Sequence, residues 1–293
     1  MKNRSVTLFA IFIAPIMILL ILFRYYPLFS GIYHSFTAWN VMSTKFVGID
    51  NYLSLVKDDL FMTSLRNIFI YVLVTTFAIT SMSIIGGELI FNLNSDKSKS
   101  LWKYLFVIPM IVPFTVSMLI WAFIYNPYLG ILNSLLSLMG LGNFTFPWLG
   151  SPNTALYAVC FVGFPFLSSA QFLILMSSLQ NIDHSIIDAS KVDGATTLKR
   201  IFNIDIPLII DKIFLIIMLT VIWNFQALSN FYILTYGGPG ASTLVPGLYL
   251  YEMAFQNNSL GYACAIGIFM AIVTLAFILI LQKVENLIEA HYA

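Results

Sequence analysis

Residues 188–207 read Asp-Ala-Ser-Lys-Val-Asp-Gly-Ala-Thr-Thr-Leu-Lys-Arg-Ile-Phe-Asn-Ile-Asp-Ile-Pro. This polar, basic stretch lies between two long apolar runs. Asp188-Ala189-Ser190 opens it, Gly194 sits in its middle, and Ile204 and Ile206-Pro207 close it. Outward from it the chain is 59% hydrophobic and only 9% charged, whereas soluble domains run to about a quarter charged. A 293-residue chain this apolar takes the bilayer as its solvent. Its net charge of +1 offers no basic face for nucleic acid. Cys160 and Cys264 each lie inside an apolar run, which suits packing better than a disulfide framework. Lys2 and Arg4 precede an apolar run with no small-x-small cleavage site, so the N-terminus reads as an uncleaved first span.

A span needs about 20 mostly apolar residues. Six are predicted: Val6–Phe23, Asn67–Phe91, Tyr104–Tyr125, Ala155–Leu179, Ile213–Leu234 and Tyr262–Leu281. The third and fourth come from an uncharged stretch, Tyr104 to Ile182, that is too long for one span. Gly, Pro and Asn break it at Asn126–Gly130 and at Asn143–Asn153. With the N-terminus inside, the inner segments hold Lys2, Arg4, Lys97, Lys99, Lys103, Lys191, Lys199, Arg200, Lys212 and Lys283. The outer ones hold Arg24, Lys45, Lys57 and Arg66. This bias predicts cytoplasmic termini. The expected architecture is an all-α membrane protein, a single transmembrane domain over residues 1–293 with a cytoplasmic loop at about 183–211.

No Gly-x-x-x-x-Gly-Lys-Ser/Thr loop occurs, so the chain is not expected to hydrolyse ATP. His34, His184 and His291 lie apart, which argues against a metal site. Within the island, Asp183 or Ser185 suits a helix N-cap. Ala189 and Ser190 are small enough for another surface to approach closely. Gly194 suits a left-handed helix end, and Thr196 or Thr197 suits the start of a second segment. A basic loop held by lipid headgroups would explain the composition alone; the Gly and Pro spacing points to docking.

The island resembles the EAA loop of binding-protein-dependent ABC-transporter permeases: Glu-Ala-Ala, three residues, Gly, nine residues, Ile-x-Leu-Pro. Asp188 stands for Glu, Ser190 for the second Ala and Ile206 for Leu, with the spacing kept. The resemblance implies a type I ABC importer permease fold and a loop that couples to an ATPase through Asp188, Ala189, Ser190, Asp193, Gly194, Ala195 and Pro207. It implies no catalytic residue and no cofactor here; ATP and Mg would be bound by two partner ATPase subunits. A second homologous permease subunit and an extracellular or periplasmic solute-binding protein are the other implied partners. Thr235-Tyr236-Gly237-Gly238-Pro239, Leu260-Gly261-Tyr262-Ala263 and Phe46-Val47-Gly48-Ile49-Asp50-Asn51-Tyr52 resemble signatures of the carbohydrate branch. Within it the chain is similar to the first maltose-permease subunit and to glycerol-phosphate and oligosaccharide permeases.

Thr220, Trp223 and Asn224 fall at i, i+3 and i+4 on one helix. Aromatic faces and a few amides or hydroxyls suit a sugar. By resemblance, Thr220, Trp223, Asn224 and Ala227, with Gly163 and Phe166 of the Gly163-Phe164-Pro165-Phe166 break, match substrate-lining positions. Bridging between helices is the competing reading for Asn224 and Gln226. Glu88, near the inner end of the second span, reads as a snorkelling or helix-paired carboxylate rather than a proton relay. The expected function is import of a carbohydrate through a bacterial or archaeal plasma membrane. A solute such as glycerol phosphate is the alternative. An ion-coupled secondary transporter would call for inverted repeats and paired intramembrane acids, which Glu88 alone does not supply.

Overall fold

The computed structural model describes residues 12–166 and 168–292. Lys2, Arg4 and the start of the first predicted span lie outside them. The chain falls into two compact units. One is formed by the chain up to Met62 with Tyr249–Ile272; the other by Thr63–Leu248 with the chain from Val273 onward.

Three helices are long and apolar enough to cross a membrane: α1 (Phe12–His34), α3 (Asp59–Phe91) and α14 (Leu260–Tyr292). Two further candidates are bent. Helix α4 (Asp96–Val107), extended by a tighter turn at Ile108–Ile111, meets α5 (Phe114–Ile124) at 93°. Helix α10 (Thr197–Leu208) meets α11 (Ile210–Phe225) at 70°. The third predicted span is therefore not straight. Pro113 lacks the N–H that would carry the helix through, and it forces Val112 into an extended conformation. The predicted fourth span is interrupted at the expected Gly163–Phe166 break. It divides into α7 (Ala155–Cys160) and α8 (Ser169–Gln180), parted where Gly163 and Phe166 take φ of +90° and +62°. The predicted fifth span stops at Phe225, and α12 (Ser229–Leu234) follows as a separate helix. By length and composition the described residues thus offer up to five spans where six were expected.

The fold is also not wholly α. In the first unit, β1 (Thr37–Trp39) and β2 (Thr44–Phe46) pair antiparallel, Thr37 opposite Phe46. Asn40 builds the turn: its Oδ1 accepts from the backbone N–H groups of Met42 and Ser43 at 2.9 and 2.7 Å. Helix α2 (Asp50–Lys57) follows. The Asn51 amide donates to the Ser35 and Thr37 carbonyls at 2.8 and 3.0 Å, and the Tyr52 hydroxyl to Ser35 Oγ at 2.7 Å. Gly261, in the first turn of α14, lies against the Thr37 carbonyl so closely that a Cβ would collide with backbone. Two separate sequence signatures, Phe46–Tyr52 and Gly261-Tyr262, thus meet on one hairpin.

Asp58, between α2 and α3, closes this unit. Its Oδ1 accepts from the Leu60 and Phe61 amides at 3.0 and 3.2 Å. Its Oδ2 accepts from the Tyr249 and Tyr262 hydroxyls at 2.6 and 2.7 Å. Partial burial pushes the carboxyl up, but the two hydroxyls and two amides together hold it below its ordinary value of 3.8.

In the second unit, Leu175 and Leu179 of α8 pack with Ile182, Ile209, Ile213 and Ile216. Ile187, from α9 (His184–Val192), inserts into the same cluster. The island predicted to dock is thereby seated on a buried apolar base.

Candidate functional site

The docking residues form a helix-turn-helix. Asp183 caps α9, its carboxylate accepting from Ser185 N–H at 2.9 Å. That contact, followed by the hydroxyl of Ser185, holds the carboxyl below its usual value. Gly194 takes φ +74° with open space at its Cβ position. Its N–H reaches the Lys191 carbonyl at 3.0 Å, and that of Ala195 reaches the Ser190 carbonyl at 2.9 Å. These bonds satisfy the last carbonyls of α9, and the left-handed residue turns the chain. Thr196 then caps α10 through Lys199 N–H.

Asp188 and Ala189 are exposed, whereas Ser190 is buried and donates to the Ile187 carbonyl at 2.6 Å. Asp193 and Gly194 lie exposed at the turn, Ala195 is half-buried beside them, and Pro207 is half-buried near the end of α10. Lys191 of the same helix already meets Asp188 at 2.9 Å and, through that bond and its charge, holds the carboxyl low. Flanking the turn, Val192 is 87% exposed and Leu198 67%.

The residues matched to a substrate site are less uniformly disposed. Trp223 is 73% exposed. Thr220, on the same helix, is buried; its hydroxyl donates to the Ile216 carbonyl at 2.7 Å and accepts from Gln171 at 3.4 Å. The Asn224 amide turns to α3 and donates to Thr75 Oγ1 at 2.8 Å and Thr76 Oγ1 at 3.3 Å. Ala227, half-buried, follows the end of α11, its N–H bonded to the Asn224 carbonyl at 3.1 Å. Gly163 and Phe166 lie in the break after α7, where Phe161, Phe164 and Phe166 form an aromatic group with centroids 5.1–5.9 Å apart. The structure joins Thr220 and Asn224 to helix-bridging bonds and leaves Trp223 outward. Gln226, also weighed as a bridge, donates to the Ile222 carbonyl one turn back on its own helix at 3.1 Å.

Sequence reading missed Thr75, Thr76 and Gln171, the partners in these bridges. Their signal is weak, since a hydroxyl or amide in an apolar helix shows its partner only when another helix is laid beside it. It also missed a buried link on the docking loop. Arg200 Nε meets Asp205 Oδ2 at 2.9 Å, and its Nη2 donates to Asn92 Oδ1. The Asn92 amide in turn donates to the Glu88 carbonyl at 2.8 Å and to Glu88 Oε2 at 3.1 Å. Glu88 is 4% exposed, so it does not snorkel; the helix-paired reading describes it.

The Thr235–Pro239 signature forms a tight loop. Thr243 Oγ1 lies 2.7 Å from Thr235 Oγ1 and donates to the Gly238 carbonyl at 2.8 Å, and Asn67 of α3 donates to the carbonyls of Ala241 and Leu244.

The chain is 32% identical over 289 residues to the probable ABC transporter permease protein YurN of Bacillus subtilis, covering 97% of each. It is 30% identical to the diacetylchitobiose uptake system permease protein NgcF of Streptomyces coelicolor, covering 96% of this chain and 83% of that one. In fold it is similar to a chain of a bacterial alginate ABC transporter, crystallised with its alginate pentasaccharide-bound periplasmic protein. The TM-score is 0.85 at 19% identity, with 98% of this chain and 96% of that chain covered. Residues 79–291 match the family described as binding-protein-dependent transport system inner membrane component. The chain belongs to that family, and with its apolar helices it is a multi-pass membrane protein.

Proposed function

We propose that the chain is one of two permease subunits of an ATP-driven carbohydrate importer. The observation that carries this reading is the α9–Gly194–α10 turn. It is rigidly seated through Ile187, yet it presents Val192 and Leu198 outward, an apolar tip suited to a groove on another protein. The chain acts throughout as one permease domain, with both termini and the 183–211 loop on the cytoplasmic side. Two ATPase subunits grip the loops and bind ATP and Mg; a solute-binding protein delivers the sugar from outside. The chain itself performs no catalysis. A carbohydrate cargo is supported by the permeases of sugar uptake systems among its relatives.

The exposed indole of Trp223 offers an apolar face for the C–H side of a sugar ring. The aromatic break around Gly163 and Phe166 supplies the second surface. Thr220 and Asn224 hold the helix that presents Trp223, and Ala227 leaves room at its end.

The test is uptake of radiolabelled oligosaccharides into vesicles bearing the assembled complex. ATP-dependent accumulation of at least one sugar is expected, falling about 10-fold for Trp223→Ala as a ring contact is lost. Accumulation that needs no ATP, or no sugar accumulated at all, would sink the reading.

A further inference from the structure

The charged residues at 200 and 205 are five apart, a separation that an ordinary α-helix places on different sides. Here the segment Ile201–Asp205 is a wide π-type turn, closed by Ile206 N–H on the Ile201 carbonyl. It brings Arg200 and Asp205 onto one face, at 2.9 Å. Such turns cost stability and recur where a helix does a job. Arg200 does not stop at Asp205. It lies 5.8 Å from the centroid of the Phe91 ring and donates to Asn92, which caps the last turn of α3 through the Glu88 carbonyl. A guanidinium at a helix C-terminus also complements the negative end of its dipole.

One cation here is paired with the buried Asp205 and linked through Asn92 to the buried Glu88. Among the described residues, Asp205 Oδ1 and Glu88 Oε1 find no hydrogen-bond partner. The guanidinium carries five N–H donors. Arg200 uses Nε on Asp205 and Nη2 on Asn92, and the idle oxygens of Asp205 and Glu88 are further acceptors in the same cluster. A contact that carries movement between two elements needs a pair of discrete arrangements.

We propose that Arg200 is a positioning residue, clamped between Asp205 and Asn92, through which displacement of the docking loop is transmitted to the C-terminal end of α3. The proposal rests on the reading of that loop as the ATPase handle. Re-pairing of Arg200 among Asp205, Asn92 and Glu88 lets α3 shift without stranding a buried charge.

The test uses the assembled complex in proteoliposomes, with Cys160 and Cys264 replaced by Ser and a fluorophore on a cysteine placed at Leu89, which is exposed on α3. ATP with vanadate is the probe, and the nucleotide-driven change at the label is read. Asn92→Leu cuts the link to α3 while leaving Arg200 paired with Asp205. Arg200→Lys keeps the charge and gives up the fork. Each is expected to reduce the nucleotide-driven change by about 5-fold or more, the low end of coupling between distant sites, with the ATPase still co-purifying. The double variant is expected to be no worse than either alone. A change that persists at parental size overturns the link. So does loss of the ATPase from both complexes, since that marks the residues as merely structural. Gly194→Trp separates the two ideas: if that variant still holds its ATPase, the docking reading itself has failed.

Discussion

Asp58 and Asp205 are both held carboxylates, one in each compact unit, and they are satisfied in opposite ways. Asp58 accepts four hydrogen bonds, two on each oxygen, all from neutral donors. Asp205 is fully buried, meets a guanidinium on one oxygen and nothing on the other. The first arrangement has one good geometry and no reason to leave it. The second has an ion pair and idle acceptors. Buried ion pairs are poor sources of stability beside apolar packing, because desolvation cancels most of the attraction. A pair of the Asp205 kind is better suited to specifying or switching an arrangement than to holding one.

Removing the cation separates the two regions most sharply. Arg200→Met strands Asp205 and Glu88 and is expected to cost about 3–5 kcal/mol, read as a fall in thermal unfolding temperature of the purified complex. An unchanged melting curve would mean that the Arg200 pairing contributes nothing to stability. Asp58→Asn removes a charge-assisted acceptor from four donors but leaves a side chain of the same shape. A cost of about 1–2 kcal/mol is expected, and the variant also sharpens the comparison through pH. Because the folded carboxyl is held below 3.8, its contribution is complete above that pH and is lost as pH falls through the lower folded value. Acid unfolding of the parental protein should therefore show a component that Asp58→Asn lacks. Tyr249→Phe leaves Oδ2 with the Tyr262 hydroxyl and is expected to cost about 1 kcal/mol by the same melting assay. Lys191→Ala, which breaks only an exposed pair with Asp188, is expected to leave the melting curve unchanged. Any effect of that change should appear in ATPase co-purification instead.

Short-range rules were legible and long-range ones were not. Asp183, Gly194 and Thr196 take the cap and turn roles that their neighbours in sequence dictate, because an N-cap or a left-handed glycine answers to residues within one turn. The interruption at Gly163–Phe166 was visible for the same reason. Pro113 was there to be read, but in an apolar run a proline can either kink a span or end it, and only packing decides. The hairpin at Thr37–Phe46 was missed because three-residue strands carry too little alternation to register. The Arg200–Asn92 contact joins residues 108 apart, and the pairing of 200 with 205 depends on a π-type turn that no propensity announces. Among the substrate candidates, Asn224 carried two readings from the start, and its bonds to Thr75 and Thr76 show it bridging helices.

The hairpin has a practical consequence. Its base is clasped by the Asn51 amide and closed by Gly261, while Met42 at its tip is 94% exposed. A tip held this firmly from beneath tolerates cargo above. A cysteine or short epitope placed at Met42 would act as a flag on a fixed pole, open to membrane-impermeant reagents from one side only, and so would report in intact cells which way the chain is threaded.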